Sequence, residues 1–231
     1  MPTNFLEFFI DSLPKLLDGL SITFLLTIVS LTFGFILGIS LSLGRVYGNN
    51  IISFICIGYI ELIRGTPLLV QLFIIYFGLP SLGIALSPLY SALLGLSLNS
   101  GAYQAEYLRG SIQAIPSGQM SAARTLGMTK LQSIKNVILP QALRISIPAW
   151  SNELVYLFKY TSIASIIQVN ELTKEGELIA SRNFRYIEIF LIIALIYIIF
   201  TFVITEILDR LTKKMSIPGI GIQEKVRPRI A

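Results

Sequence analysis

Long apolar runs without charge alternate along this chain with short polar segments. Gly19 to Gly44 holds no charged residue. A helix needs about 20 predominantly apolar residues to cross the hydrocarbon core of a bilayer, so this run predicts a first membrane span. Gly65 to Ala105 is equally free of charge and too long for one helix. Pro80, Gly83 and Pro88 mark a turn that divides it. The second span begins near Ile51 and so includes Glu61 and Arg64. The third runs from about Leu86 to Arg109. A fourth, about Val137 to Ile167, carries Pro140, Pro148, Glu153 and Lys159, and the fifth is Ile187 to about Leu208. The pattern predicts an all-α integral membrane chain of five transmembrane helices with its termini on opposite sides. Residues 1–18 are the segment before the first span, 19–211 the transmembrane domain and 212–231 the tail.

Lysine and arginine in short loops set orientation. Arg45, Arg109, Arg124, Lys130, Lys135, Arg210, Lys213, Lys214, Lys225, Arg227 and Arg229 fall on one side, and Lys15, Lys174, Arg182 and Arg185 on the other. Eleven against four places the N-terminus outside and the C-terminus in the cytoplasm. Residues 1–18 are then extracytoplasmic and the tail cytoplasmic. No basic stretch of the signal-peptide kind opens the chain, which starts with Glu7 and Asp11 as its first charges.

Between the third and fourth spans, Ser117 to Gln141 reads "SGQMSAARTLGMTKLQSIKNVILPQ", a helical hairpin on the cytoplasmic side. Ser117 reads as an N-cap and Gly127 as the residue that stops the first helix. Thr129 and Gln132 form a second capping box. Leu131, Ile134 and Ile138 give the following helix one apolar side, facing Ala122, Ala123 and Leu126. Two short helices around a glycine also open DNA-reading modules. A hairpin tethered to bilayer within a few residues at each end cannot enter a major groove, so the pattern points to a protein partner and away from nucleic acid.

The composition agrees with lipid as the solvent. The chain is 54% hydrophobic and only 13% charged, against about 25% charged in an average soluble domain. There is no histidine, and Cys56 is the one cysteine, which excludes an internal disulfide and leaves no set for a zinc or iron site. No G-x-x-x-x-G-K-[ST] occurs, so the chain does not cradle nucleotide phosphates. No pair of carboxylates has a spacing suited to acid/base catalysis, and an enzyme is not expected.

Charge inside a span is costly and marks function, pairing or an aqueous cavity. Glu61 and Arg64 are three residues apart and predict an ion pair on one helix face, just before Pro67, which can kink the helix. Arg144 lies one turn past Pro140 and snorkels to the surface. Glu153 is 16 residues beyond Val137, or roughly 24 Å at about 1.5 Å per residue. Glu153 and Lys159 therefore lie deep, on different sides of one straight helix. An interhelical pair is one reading. The other gives Glu153 to a ligand's ammonium or cationic side chain and Lys159 to a carboxylate, with Asn99, Ser100 and Tyr103 completing the pocket. On that reading, Glu153→Gln reduces uptake of cationic amino acids more than of neutral ones.

The hairpin also resembles a known family. Ala122 and Ala123, then Gly127, then Val137 to Pro140 look like the EAA loop of ABC importer permeases, with Ser121 in the place of the usual glutamate and Val137 in that of an isoleucine. The segments "ELIRGTPLLVQLFIIYFGLP", "GAYQAEYLRGSIQAIPSGQ", "LPQALRISIP" and "NELVYLFKYTSI" are similar to the branch that carries polar amino acids, with Tyr160 standing where an aspartate is usual. The resemblance runs from roughly Leu16 to Leu211. It implies a type I importer permease whose coupling hairpin, about 117–136, docks into a separate ABC ATPase dimer through Ser121, Ala122, Ala123, Arg124, Gly127 and Met128. It further implies a second permease subunit (copy or relative), an extracytoplasmic solute-binding protein and an amino acid substrate in the cell membrane. ATP and magnesium would be bound by the ATPase, with no cofactor in this chain. Glu153 tilts the expected substrate toward basic amino acids such as arginine, lysine or histidine. The competing class is an ion-coupled secondary transporter or channel acting without an ATPase. Against it stand the hairpin and the lack of similarity between the two halves of the chain.

Overall fold

The computed structural model describes residues 4–215. Lys225, Arg227, Arg229 and most of the expected tail lie outside the described residues, as do the side chains of Lys213 and Lys214. Among the described residues the chain forms nine α-helices and no strand. They are α1 (Phe5–Tyr47), α2 (Asn50–Arg64), α3 (Leu68–Phe73), α4 (Pro88–Gln113), α5 (Ser117–Thr125), α6 (Lys130–Ser133), α7 (Leu139–Tyr160), α8 (Leu172–Asn183) and α9 (Tyr186–Met215).

Among the described residues, two helices are long and apolar enough by themselves to cross a bilayer, Phe5–Tyr47 and Tyr186–Thr212. At 43 residues α1 extends about 65 Å, so it continues the first span toward the N-terminus through residues expected to form a separate segment. α4 and α7 have membrane length but carry a buried polar seam. The expected second span is interrupted. Asn50–Arg64 and Leu68–Leu82 meet at a bend of 102°, where Pro67 lacks an N–H and forces the preceding residue out of the helical region. The carbonyls left over at the bend are taken up by Gln71, whose Nε2 donates to Ile63 O at 2.7 Å and to Thr66 O at 3.0 Å. A π-helical turn at Ile134–Ile138 leads into α7, just where Pro140 removes a helical donor.

α1 and α4 pack most closely. A Cβ at Gly34 would lie 2.9 Å from Gln104 Nε2 and 3.1 Å from the Gly101 nitrogen, and one at Gly38 would lie 3.1 Å from the Ala105 nitrogen. Backbone cannot yield as a side chain can, so the small residues four apart are what let these helices meet. Gly38→Leu is expected to cost about 1–3 kcal/mol by overpacking, read as a lower melting temperature of the purified chain in detergent. Gly58→Leu, where an added Cβ meets nothing within 4 Å, should melt as the unaltered protein does. At the other end of α1, Phe8, Leu16 and Leu20 join α8 and α9 through Leu172, Ile179 and Ile189 in one core. Glu171, fully buried, caps α8 by accepting from Thr173 N and Lys174 N at 3.0 and 2.8 Å.

Candidate functional site

The bend between α2 and α3 forms one wall of a cavity of about 430 Å³. Arg64, Gly65, Thr66 and Pro67 line it from the bend, Asn99 and Tyr103 from α4, and Tyr160 from the end of α7. The Arg64 guanidinium lies over the Tyr103 ring, 5.3 Å from its centroid. Asn99 Nδ2 donates to Gln71 Oε1 at 3.0 Å, so the residue that holds the bend also holds Asn99 at the cavity edge.

Behind Arg64 is an ionic cluster joining α1, α2 and α4. Glu106 accepts from Arg45 and, through both its oxygens, from Arg109 at 2.9–3.1 Å, while Arg64 stands off at 3.6 Å. The expected pair between Glu61 and Arg64 is not made. Glu61 instead approaches Arg45 at 3.8 Å, and Arg64 turns to Glu106. The last turn of α2 lies against α1 and α4, whose charges are the nearer partners.

A second polar group is buried between α1, α4 and α7. Trp150 Nε1 donates to Gln104 Oε1 at 2.7 Å, and Gln104 Nε2 donates to Leu31 O at 3.2 Å and to Ser100 Oγ at 2.9 Å. Ser100 Oγ then donates to Glu153 Oε1 at 2.7 Å, and Tyr107 OH donates to Glu153 Oε2 at 3.3 Å. Of the residues expected to form one pocket, Asn99 and Tyr103 line the cavity. Ser100 and Glu153 are joined to each other in the buried chain, where Glu153 is 6% exposed. Lys159 stands apart and exposed, 4.9 Å from the Tyr156 ring. Gln71, Gln104, Tyr107 and Trp150 were missed by sequence reasoning. Gln71, Gln104 and Trp150 are uncharged residues within charge-free stretches and Tyr107 stands beside Glu106, so only the partner on another helix reveals each.

The hairpin has the expected turn chemistry. Its first helix is capped at Pro116, so Ser117 is the first helical residue instead of the cap. Pro116 fixes the extended entry, and the preceding chain needs no side-chain cap. At the other end Met128 N bonds to Ala123 O and Gly127 N to Arg124 O, at 3.2 and 3.1 Å, with Gly127 at φ +86°. That is the Schellman closure of a helix. The capping box of Thr129 and Gln132 is made in both directions. Ala123 is buried, whereas Ser121, Ala122, Arg124 and Gly127 are exposed and Met128 half-buried. Leu131, expected beside Ile134 and Ile138, is 73% exposed while those two are buried. The π-helical turn that starts at Ile134 shifts the helical phase after Leu131. Leu131 and Leu126, at 80% exposed, therefore leave an apolar tip on the hairpin. Lys130 Nζ donates to Tyr47 O at 3.0 Å and ties this tip to the end of α1.

An all-helical chain with membrane-length apolar helices, a buried polar seam and a projecting hairpin is a multi-pass membrane component, with no nucleotide-binding loop in its sequence. Residues 16–217 match the family of binding-protein-dependent transport system inner membrane components, and the chain belongs to that family. It is 37% identical over 212 residues to the nopaline transport system permease protein of Agrobacterium fabrum, covering 87% of this chain and 88% of that one. It is 36% identical to the glutamine transport system permease protein of Escherichia coli, covering 89% and 95% of the two chains, and 40% identical to the L-cystine transport system permease protein of Bacillus subtilis, covering 88% and 87%. Among solved structures, an amino acid ABC transporter superposes with a TM-score of 0.85 at 37% identity, covering 93% of this chain and 100% of that one. A methionine ABC transporter in an inward-facing conformation shares the fold, with a TM-score of 0.74 at 22% identity, covering 88% and 97%.

Proposed function

We propose that this chain is the permease subunit of an ATP-driven importer of polar amino acids, forming part of the translocation path and taking its drive from a separate ATPase. The observation that carries this reading is the hairpin. A rigid two-helix element, closed by the Gly127 turn and the Thr129 capping box, presents an apolar tip on a chain whose relatives are named as glutamine and L-cystine transport permeases. An element of that stiffness transmits displacement, because its caps leave few soft dihedrals. Five spans follow if α2 and α3 count as one bent span, with the N-terminus outside and the hairpin in the cytoplasm. α8 then lies at the outer surface, facing a solute-binding protein. Two permease subunits enclose the path, and an ATPase dimer holds ATP and magnesium and seats the hairpins around Ser121, Ala122, Ala123, Arg124, Gly127 and Met128. The cavity at the α2–α3 bend is the substrate's station within this subunit.

Reconstitution in proteoliposomes with the ATPase and binding protein tests this reading. Uptake of an amino acid should require ATP and both partners and proceed without an ion gradient. Uptake driven by a proton or sodium gradient in the absence of the ATPase would replace it with the secondary transporter.

A further inference from the structure

On the hairpin side of the chain, most of the described cations have a partner. Arg45 and Arg109 bond Glu106, and Arg64 stands between Glu106 and the Tyr103 ring. Arg124 and Lys130 donate to backbone carbonyls, and Arg210 pairs with Glu206. Lys135 and Arg144 are left over: both are exposed, and neither makes a hydrogen bond, ion pair or ring contact among the described residues. Arg144 lines a cavity of about 220 Å³ at the foot of α7, together with Asn136, Val137, Pro140 and Gln141. The cavity lies where the π-helical turn leads into α7 and Pro140 has no N–H to give. No carboxylate lines it. Gln141 Nε2 is spent on Val137 O at 2.8 Å, which leaves its Oε1 as an acceptor. The lining therefore combines an uncompensated cation and two amides with an apolar wall of Val137 and Pro140.

From this geometry we propose that the foot of α7 binds the headgroup of an anionic phospholipid. Arg144 takes the phosphodiester, with Asn136 and Lys135 as further donors, and the Gln141 oxygen accepts from a headgroup hydroxyl. The site is separate from the cavity at the α2–α3 bend, and it asks only that Val137 open the fourth span at a membrane surface. Arg144 is seven residues further on, roughly 10 Å along the helix. A guanidinium at that depth reaches the phosphate level by laying its apolar stem along the helix. Its planar fork matches phosphate oxygens in paired hydrogen bonds. A free phosphate would satisfy the cation but leave Val137 and Pro140 wet, whereas a phospholipid covers them with its glycerol backbone and chains. A zwitterionic lipid brings its own ammonium, which the field of Arg144 and Lys135 repels. Basic pockets on the inner side of membrane helices hold anionic headgroups for these reasons.

The test is native mass spectrometry of the assembled complex, released from lipid nanodiscs made of equal parts phosphatidylglycerol and phosphatidylcholine. The complex should retain phosphatidylglycerol over phosphatidylcholine by about tenfold or more, the worth of one charge-assisted hydrogen bond. Arg144→Gln should lose one retained phosphatidylglycerol per copy of this chain, and Arg144→Lys should keep part of the preference. Arg210→Gln, which removes a cation already paired with Glu206, should retain lipid as the unaltered protein does. Millimolar inorganic phosphate should not displace the lipid. Equal retention of the two lipids, or unchanged retention in Arg144→Gln, overturns the assignment. Displacement by inorganic phosphate also overturns it, by marking a site for a free anion. So does a complex that retains no phosphatidylglycerol, because another subunit then covers Arg144. The lipid preference and the phosphate competition are read on the unaltered complex, so they decide the matter even where Arg144→Gln fails to assemble. Lipid retention needs no transport, and a failure of the importer reading in the uptake assay leaves this result standing.

Discussion

Gly127→Glu is expected to abolish amino acid uptake and substrate-stimulated ATP hydrolysis while leaving the chain in the membrane in normal amount. Gly127 sits at φ +86°, a conformation that costs an L-residue with a side chain roughly 1–2 kcal/mol. The helix before it ends through bonds that require this residue to be left-handed. A glutamate there pushes the turn toward another closure and places a charge at the tip. An added Cβ meets nothing within 4 Å, so no core is disturbed and the damage stays on the exposed surface. Gly127→Asn separates backbone from surface chemistry, because asparagine tolerates the left-handed region. It should retain most of the coupling. Quantitative membrane blotting, uptake and ATPase assays on the three proteins measure the effect. Normal coupling in Gly127→Glu would remove the hairpin from the drive.

Loss of the Glu106 charge is expected to be the most destabilising single change in the ionic cluster. The Glu106 side chain is 13% exposed and serves Arg45, Arg64 and Arg109. Glu106→Gln leaves three guanidiniums facing one another with only Glu61 near, and losing the charge-assisted bonds of this part-buried carboxylate costs about 1.5–3 kcal/mol. Arg64 and Glu61 are more exposed, and their contacts contribute little by comparison. Thermal unfolding in detergent should show the loss for Glu106→Gln, with Glu61→Gln close to the unaltered protein. A similar small shift for both variants would mean that the cluster does not hold α1, α2 and α4 together. Because Arg64 also lines the cavity, Glu106→Gln should in addition disturb substrate binding.

Much of the architecture was legible in the residues because lipid imposes a simple rule. Charge-free runs such as Gly19 to Gly44 and Ile189 to Thr205 have one stable form in a bilayer, a helix that satisfies its own backbone. Turn chemistry is similarly local. Gly127 and the Thr129–Gln132 pair act on their own chain neighbours, and both behave in the structure as their spacing predicted. Where a neighbour from another helix intervenes, local reading failed. Glu61 and Arg64 have ideal intrahelical spacing yet turn to Arg45 and Glu106. Leu131 has the spacing of a buried position but follows a different helical phase from Ile134.

The amino-acid sequence by itself determined that this is a helical membrane chain, where its charge-free runs lie and how its hairpin closes. Those properties follow from composition and from contacts a few residues apart. Only the tertiary structure decided which polar residues meet. It joined Glu153 to Ser100 and Tyr107, and it set Asn99, Tyr103 and Tyr160 with Arg64 around one cavity. The reason is physical: a span's period says which residues share a face, but the partner of that face depends on how separate helices pack. In an apolar medium the choice of partner decides whether a buried charge is silent structure or a place for a ligand.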